Sequence, residues 1–319
     1  MRGYKLSPMF ESRPHKAFPF FFLAVLAIHA CKTEARAPSA DSSVAAEKSV
    51  SAVSTVPATN GWNESEAGPL LLISVNEAVR QASVVIPVLS DIHSANDELS
   101  EIDSLRGNEF DLFDRSGHVG VATLESISPS PAEGCSSWPV GTFRDPPSQS
   151  WRIGFGYQAA RALVLDSLEA MKSTDSSTVT IELARLSSRA TVNGDPAFEG
   201  LPFTVREAYR IQIPEASVII GDVVRTINEE ANPREEHLLL IAEKESTSSE
   251  YHTAYYSRSA GSEDEVRTSE ILTAIRFVRT NRPAIVVSFG YADGERTVLL
   301  ERFGGSNWKL TWRSAYSGC

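Results

Sequence analysis

Apolar residues change their spacing along this chain, and each change predicts a different kind of segment. Ala17-Phe18-Pro19-Phe20-Phe21-Phe22-Leu23-Ala24-Val25-Leu26-Ala27-Ile28 is one unbroken apolar run. It is shorter than the roughly 20 residues a bilayer-spanning helix needs. Lys32 to Pro69 is rich in Ala, Ser, Thr, Glu and Pro and has few large apolar side chains. Such a segment buries too little to offset the entropy of ordering it. From Leu70 onward short apolar runs are broken by turn residues, which sets the start of a folded domain over 70–319. The pattern predicts a mainly β fold of antiparallel sheets, propeller-like or sandwich, with one or two short helices.

Period-two alternation is clearest over Phe203–Ile211 and over Trp308–Arg313, where it puts Trp308, Leu310 and Trp312 on one face. Further strands are predicted at 217–224, 237–242, 251–257, 284–289 and 296–302. Asp293-Gly294 stands between the last two as a hairpin turn, because an Asp-Gly pair accepts positive φ. Ser94 can cap a helix carrying Leu99, Ile102 and Leu105, with Asp97 in its first turn. Thr174 or Asp175 can cap a second, with Val179, Leu183 and Leu186 on one side. Thr268–Val278 suits a helix through Ile271, Ile275 and Val278, and a strand through Ile271, Thr273, Ile275 and Phe277.

Composition changes this picture little. At 319 residues and 42% apolar content, the chain holds ample material for a packed core. Charge says more. Arg2, Lys5, Arg13 and Lys16 against Glu11 give the first 30 residues a net +3, so their removal takes the formal charge from −11 to −14. An acidic protein of this kind argues against nucleic acid as a partner, since phosphates are bound mainly by Lys and Arg.

The basic stretch through Lys16 and the apolar run after it fit a secretory signal. Ile28-His29-Ala30-Cys31 follows at once and resembles the lipobox of bacterial lipoproteins. The resemblance implies a signal peptide over 1–30, cleavage before Cys31 and acylation of that cysteine, so that the protein contacts a lipid bilayer through it. Residues 31–69 would then be a flexible tether that holds the domain roughly 30 to 35 Å from its anchor. Ala35-Arg36-Ala37 is a rival cleavage site that would free a soluble protein, although Pro38 just beyond it impedes that cut. Lys32 is not the Asp that resembles an inner-membrane retention signal, so the outer membrane is favoured over the inner.

Leu112-Phe113-Asp114-Arg115-Ser116-Gly117 and Leu299-Leu300-Glu301-Arg302-Phe303-Gly304 share one pattern, apolar-apolar-acid-Arg-x-Gly, and point to two related strand-turn-strand units. Arg282-Pro283-Ala284-Ile285-Val286-Val287, Tyr291-Ala292-Asp293-Gly294 and Trp308-Lys309-Leu310 make Ile271–Trp312 similar to a blade of the FG-GAP or VCBS type of β-propeller. In that family an Asp-rich loop holds calcium. Here the loop reads Arg279-Thr280-Asn281-Arg282, with no carboxylate among the six to eight oxygens calcium takes. The resemblance therefore implies β architecture, and no metal or cofactor is expected.

With Cys31 acylated, Cys135 and Cys319 are left, and an oxidising compartment favours a disulfide between them. It would stabilise the domain by about 4 to 5 kcal/mol in the chain-entropy account. Catalytic residues are unknown from the sequence. Histidines are scattered and no nucleophile, metal or phosphate-loop motif is present. Asp91, His93, Asp97, Glu98, Glu101 and Asp103 form the densest group of ligand types, and read as a solvated helix face. Glu229-Glu230, Glu235-Glu236-His237 and Glu263-Asp264-Glu265 read as solvated loops, and Ser116 near His118 lacks an orienting partner. Tyr251, Tyr255, Tyr256, Trp308 and Trp312 suit sugar stacking but more naturally fill a core. The expectation is a membrane-anchored envelope lipoprotein with a non-catalytic binding or scaffolding role toward an envelope protein or glycan. The alternative is an envelope hydrolase that uses carboxylates of the acidic loops.

Overall fold

A computed structural model describes residues 70–73, 80–85, 102–129, 138–191, 194–230, 233–248, 250–262 and 264–318. All of them lie in one compact unit. Cys31, Cys135, Cys319, the proposed signal and tether, and the Ser94-capped helix up to Glu101 lie outside these residues. Of that helix, Ile102 is buried and Leu105 packs against the same core.

Six strands come first: β1 (Leu70–Ile73), β2 (Gln81–Val85), β3 (Glu109–Asp114), β4 (Gly117–Ser128), β5 (Val140–Arg144) and β6 (Ile153–Gly156). They pair in the order β1-β2-β5-β4-β3-β6, and β1 bonds to both β2 and β6, so the sheet closes into a small barrel. Phe110, Phe143, Trp151, Phe155 and Phe113 fill it with edge-to-face ring contacts.

Two open antiparallel sheets follow. β7 (Ala160–Leu163) and β8 (Asp166–Ser167) are stubs that lead into one sheet each. Helix α1 (Ser173–Ala190) comes next, then β9 (Thr204–Ile213), β10 (Ala216–Ile227), β11 (Arg234–Glu245) and β12 (His252–Ser262), which form a sheet of order β12-β11-β10-β9-β8. β13 (Thr268–Phe277), β14 (Pro283–Tyr291), β15 (Gly294–Arg302) and β16 (Trp308–Arg313) form a meander that β7 extends, and β17 (Ser317–Gly318) pairs with β15. The blade-like stretch Ile271–Trp312 is this meander. It lies within a stack of layers in which α1 covers the β9–β12 sheet, that sheet faces the meander, and the meander backs onto the barrel.

Three buried clusters hold the stack together, and single strands feed two of them by alternation. Val218 and Ile220 of β10 face the meander, while Ile219 and Val223 face α1. Bulges change the sides. Leu299 pairs with Trp312 but Leu300 with Leu310, leaving Thr311 as the extra residue. Trp308 therefore faces the β9–β12 sheet and Trp312 faces the barrel, correcting the expectation that the two share a face. A bulge at Leu272 does the same to β13, placing Ile271 toward one sheet and Ile275 and Phe277 toward the barrel. It also settles the ambiguous stretch as a strand.

Helix α1 starts at Ser173 with Lys172 at its N-cap and no side-chain cap bond. Both expected caps, Thr174 and Asp175, lie inside the helix, and Asp175 instead accepts from Arg210 Nη1 at 3.0 Å. Val179, Leu183 and Leu186 are buried as its spacing predicts. The helix rests on Gly221 of β10, where a Cβ would stand 2.6 Å from Leu183 Cδ1. The β14–β15 hairpin forms one residue earlier than Asp-Gly predicts, on Ala292 and Asp293, with Tyr291 paired to Gly294. Gly294 is needed for a different reason: a Cβ there would lie 2.2 Å from Ser317 O and 2.6 Å from Gly318 Cα.

Candidate binding crevice

β10 contains a charged residue where its neighbours are apolar: Val218-Ile219-Ile220-Gly221-Asp222-Val223-Val224. The Asp222 side chain is 1% exposed and faces the space between the two open sheets. Opposite it, β9 carries a bulge at Arg206, since Asp222 pairs with Glu207 and Val223 with Val205. The bulge turns Arg206 and Glu207 toward the same side. On the far wall β13 supplies Ser269 and Glu270 from its first turn of chain, and the β3–β4 turn supplies Arg115 as a lip. That turn is capped by Asp114 Oδ1, which accepts from Ser116 N at 2.7 Å and Gly117 N at 3.0 Å. It is fastened to β13 by Thr273 Oγ1 donating to Asp114 O at 2.9 Å and by Arg115 Nε donating to Ile271 O at 2.8 Å.

The resulting crevice has a volume of about 610 Å³ and a predominantly polar lining. Arg115 Nη2 bridges Glu207 Oε1 at 3.0 Å and Glu270 Oε1 at 2.8 Å, and Arg152 Nη1 reaches Glu270 Oε1 at 3.1 Å. Tyr209 donates to Glu207 Oε1 at 2.7 Å. Burial, and then the Glu207 carboxylate that accepts its hydrogen bond, push the Tyr209 phenol well above its ordinary pKa, so it stays a donor. Asp222 accepts from Ser269 Oγ at 3.0 Å and pairs with Arg206 Nη1 at 3.4 Å. Glu169 at the rim is held below the usual carboxylate range by hydrogen bonds from its own backbone amide and from Ser167.

Behind Asp222 lies His237, its side chain 4% exposed. Nε2 is 2.6 Å from Glu235 Oε2 and Nδ1 is 3.9 Å from Asp222 Oδ1. Burial works against the charged ring, but Asp222 and Glu235 outweigh it and hold the His237 pKa above its ordinary value. Arg206 Nη1 also sits 3.3 Å from Nδ1, a contact that suits only a neutral ring. The two carboxylates are the stronger influence, so on protonation the guanidinium is left with Asp222. Ser269 donates to Asp222 and not to His237, so these three residues lack the serine–histidine contact of a nucleophilic triad.

The other expected residues are dispersed. Ser116 Oγ donates to Asp114 and His118 Nε2 lies 2.9 Å from Asp111 Oδ1, so the two do not meet. Asp103 pairs with Arg106 on the surface. Glu235, Glu236 and His237 belong to β11, which corrects their reading as a solvated loop: Glu236 is fully buried between Arg225 and Arg258. Tyr251 is buried with its hydroxyl 2.8 Å from Ser217 Oγ, while Tyr256 is 49% exposed on β12. Among the described residues no group of three or more His, Cys, Asp or Glu is placed to hold a metal ion, and no helix is long and apolar enough to cross a membrane. Arg115, Arg206, Asp222, Ser269 and Glu270 escaped the sequence reading. Only Asp222 had a local signal, as a lone acid in a buried run. Comparison with family models, curated proteins and solved structures finds no match to this chain.

Proposed function

We propose that this chain is a lipid-anchored, non-catalytic binding protein of the bacterial cell envelope, with the crevice as its ligand seat. One observation carries the binding role: the carboxylates Glu207, Glu270 and Asp222 are each already held by an arginine. Groups fixed in this way present a preorganised set of donors and acceptors to a polar ligand. The anchor reading rests on the signal and lipobox pattern that ends at Cys31, with residues 31–69 as tether and the outer membrane as the favoured site.

A polar ligand rich in hydroxyls and carboxylates, such as a peptidoglycan fragment, suits such a wall. Titration calorimetry with soluble muropeptides tests this. Binding without turnover is expected, with a loss of about tenfold or more in Arg115→Ala, near the range of one charge-assisted hydrogen bond. The hydrolase reading has one observation in its favour, the desolvated Asp222 directly opposite Glu207. Release of new reducing ends or amines, abolished by Asp222→Asn, would replace the binding reading with that one. Mass spectrometry of the mature N-terminus in the native host tests the anchor: a diacylglyceryl mass on Cys31 is expected, and a free amino terminus at Pro38 overturns it. A non-reducing digest that yields Cys135 and Cys319 in one linked peptide would support the proposed disulfide.

A further inference from the structure

The strand ends of the meander opposite the crevice are basic in a protein that is acidic overall. Antiparallel pairing brings together the start of β7, the end of β13, the start of β14, the end of β15 and the start of β16. They carry Arg161, Arg276, Arg279, Arg282 and Lys309. Arg161 and Arg276 are direct cross-strand partners, a like-charge pair that a strand ladder disfavours unless something anionic is there to answer it. Arg276 Nη1 donates to Asn281 O at 2.8 Å, and Arg282 is paired with the buried Glu301. Exposed apolar side chains stand among these cations. Phe303 is 45% exposed with Arg282 4.5 Å and Lys309 5.5 Å from its ring centre, and Val278 and Tyr157 are 46% and 50% exposed.

We infer that this end of the meander docks on anionic lipid headgroups of the membrane that anchors the chain. Basic side chains interleaved with exposed aromatic and aliphatic ones are the chemistry of an interfacial contact. The path of the chain agrees. β1 runs antiparallel to β6 with Leu71 opposite Gly154, so Leu70, the first residue after the proposed tether, points toward Gly156 and Tyr157 and thus toward the basic end. The formal charge of −14 repels anionic lipid at a distance, but within a Debye length of about 8 Å the nearest charges dominate. The domain is thereby oriented as well as held. Thr268 and Arg276 mark opposite ends of β13, about 26 Å apart at the usual rise per residue, so the crevice faces away from the bilayer.

The inference rests on the anchored reading for its choice of surface, and its test does not. Residues 31–319 with Cys31→Ala keep the whole compact unit and cannot be acylated. This protein is sedimented with phosphatidylcholine vesicles and with vesicles containing about one third phosphatidylglycerol. Binding to the anionic vesicles alone is expected, and it should be lost in high salt. Arg161→Gln with Lys309→Gln should weaken it on the order of tenfold or more, at roughly fivefold per basic residue. Arg296→Gln with Arg313→Gln, an equal charge change at the far end of the same sheet, should leave it within about twofold. Equal binding to both vesicles, or equal losses in the two double variants, overturns the inference whatever mass spectrometry finds at Cys31.

Discussion

Asp222 and His237 show how burial and partners divide the control of one charge. His237 sits above its ordinary pKa because Asp222 and Glu235 together outweigh desolvation. Its contribution to stability is therefore complete below the unfolded value of about 6.5 and is lost as pH rises through the higher folded value. The urea midpoint should fall between pH 6 and pH 9, and the fall should shrink in His237→Gln. Imidazole titration by NMR should show the His237 pKa moving down in Asp222→Asn, where one opposing charge is gone and Arg206 remains. An unchanged titration would mean that Glu235 alone sets it. Neither residue declared this role in the sequence, because the pairing depends on a diagonal across β10 and β11 that no local spacing encodes.

At the scale of elements, strands were legible wherever an apolar run was bounded by turn residues, as in β10, β11, β14 and β15. Helix α1 was legible because Val179, Leu183 and Leu186 keep helical spacing despite the β-branched residues between them. The barrel was not. β3, β5 and β6 are short, β4 is broken up by Gly117, Gly120 and Ser126, and the large residues Phe110, Phe143, Trp151 and Phe155 meet only when the sheet closes. Faces were harder to read than strands, since the bulges at Arg206, Leu272 and Thr311 each shift the alternation by one. The crevice depends on the first of these bulges and was hidden with it. The helix contact offers a direct check. Gly221→Ala puts a Cβ into Leu183, whose side chain must give way. A loss of about 1 to 3 kcal/mol is expected in denaturant unfolding. Much of it should be recovered with Leu183→Val, and additive losses would contradict the contact.

The layers are joined by apolar packing and by a buried ion pair at the interface of the two sheets. Glu243 of β11 accepts from Arg302 Nη2 at 2.5 Å and Nε at 3.0 Å, and from Trp308 Nε1 at 3.0 Å. Burial opposes the charged form of Glu243, but Arg302 and Trp308 prevail and hold its carboxyl below the usual range. Removing only one partner leaves an uncompensated charge inside, so Glu243→Ala should destabilise by about 3 to 5 kcal/mol. Replacing Glu243 and Arg302 together by Met should cost far less, which differential scanning calorimetry of the two variants beside the unaltered protein would show.

The bulge at Thr311 reaches beyond its own strand. It is the single residue that lets β16 give Trp308 to one cluster and Trp312 to another. Substituting Thr311 by a residue without a hydroxyl would remove the group that donates to Glu301 Oε1 at 2.7 Å but would leave the bulge in place. Deleting it would restore strict alternation, withdraw an indole from the barrel side and force it onto the opposite, already filled side. In this fold the number of residues in a strand is thus a stronger constraint than their identity. Deleting Thr311 should therefore cost more stability than Thr311→Ser, which keeps both the bulge and the hydroxyl, as denaturant unfolding of the two variants would show.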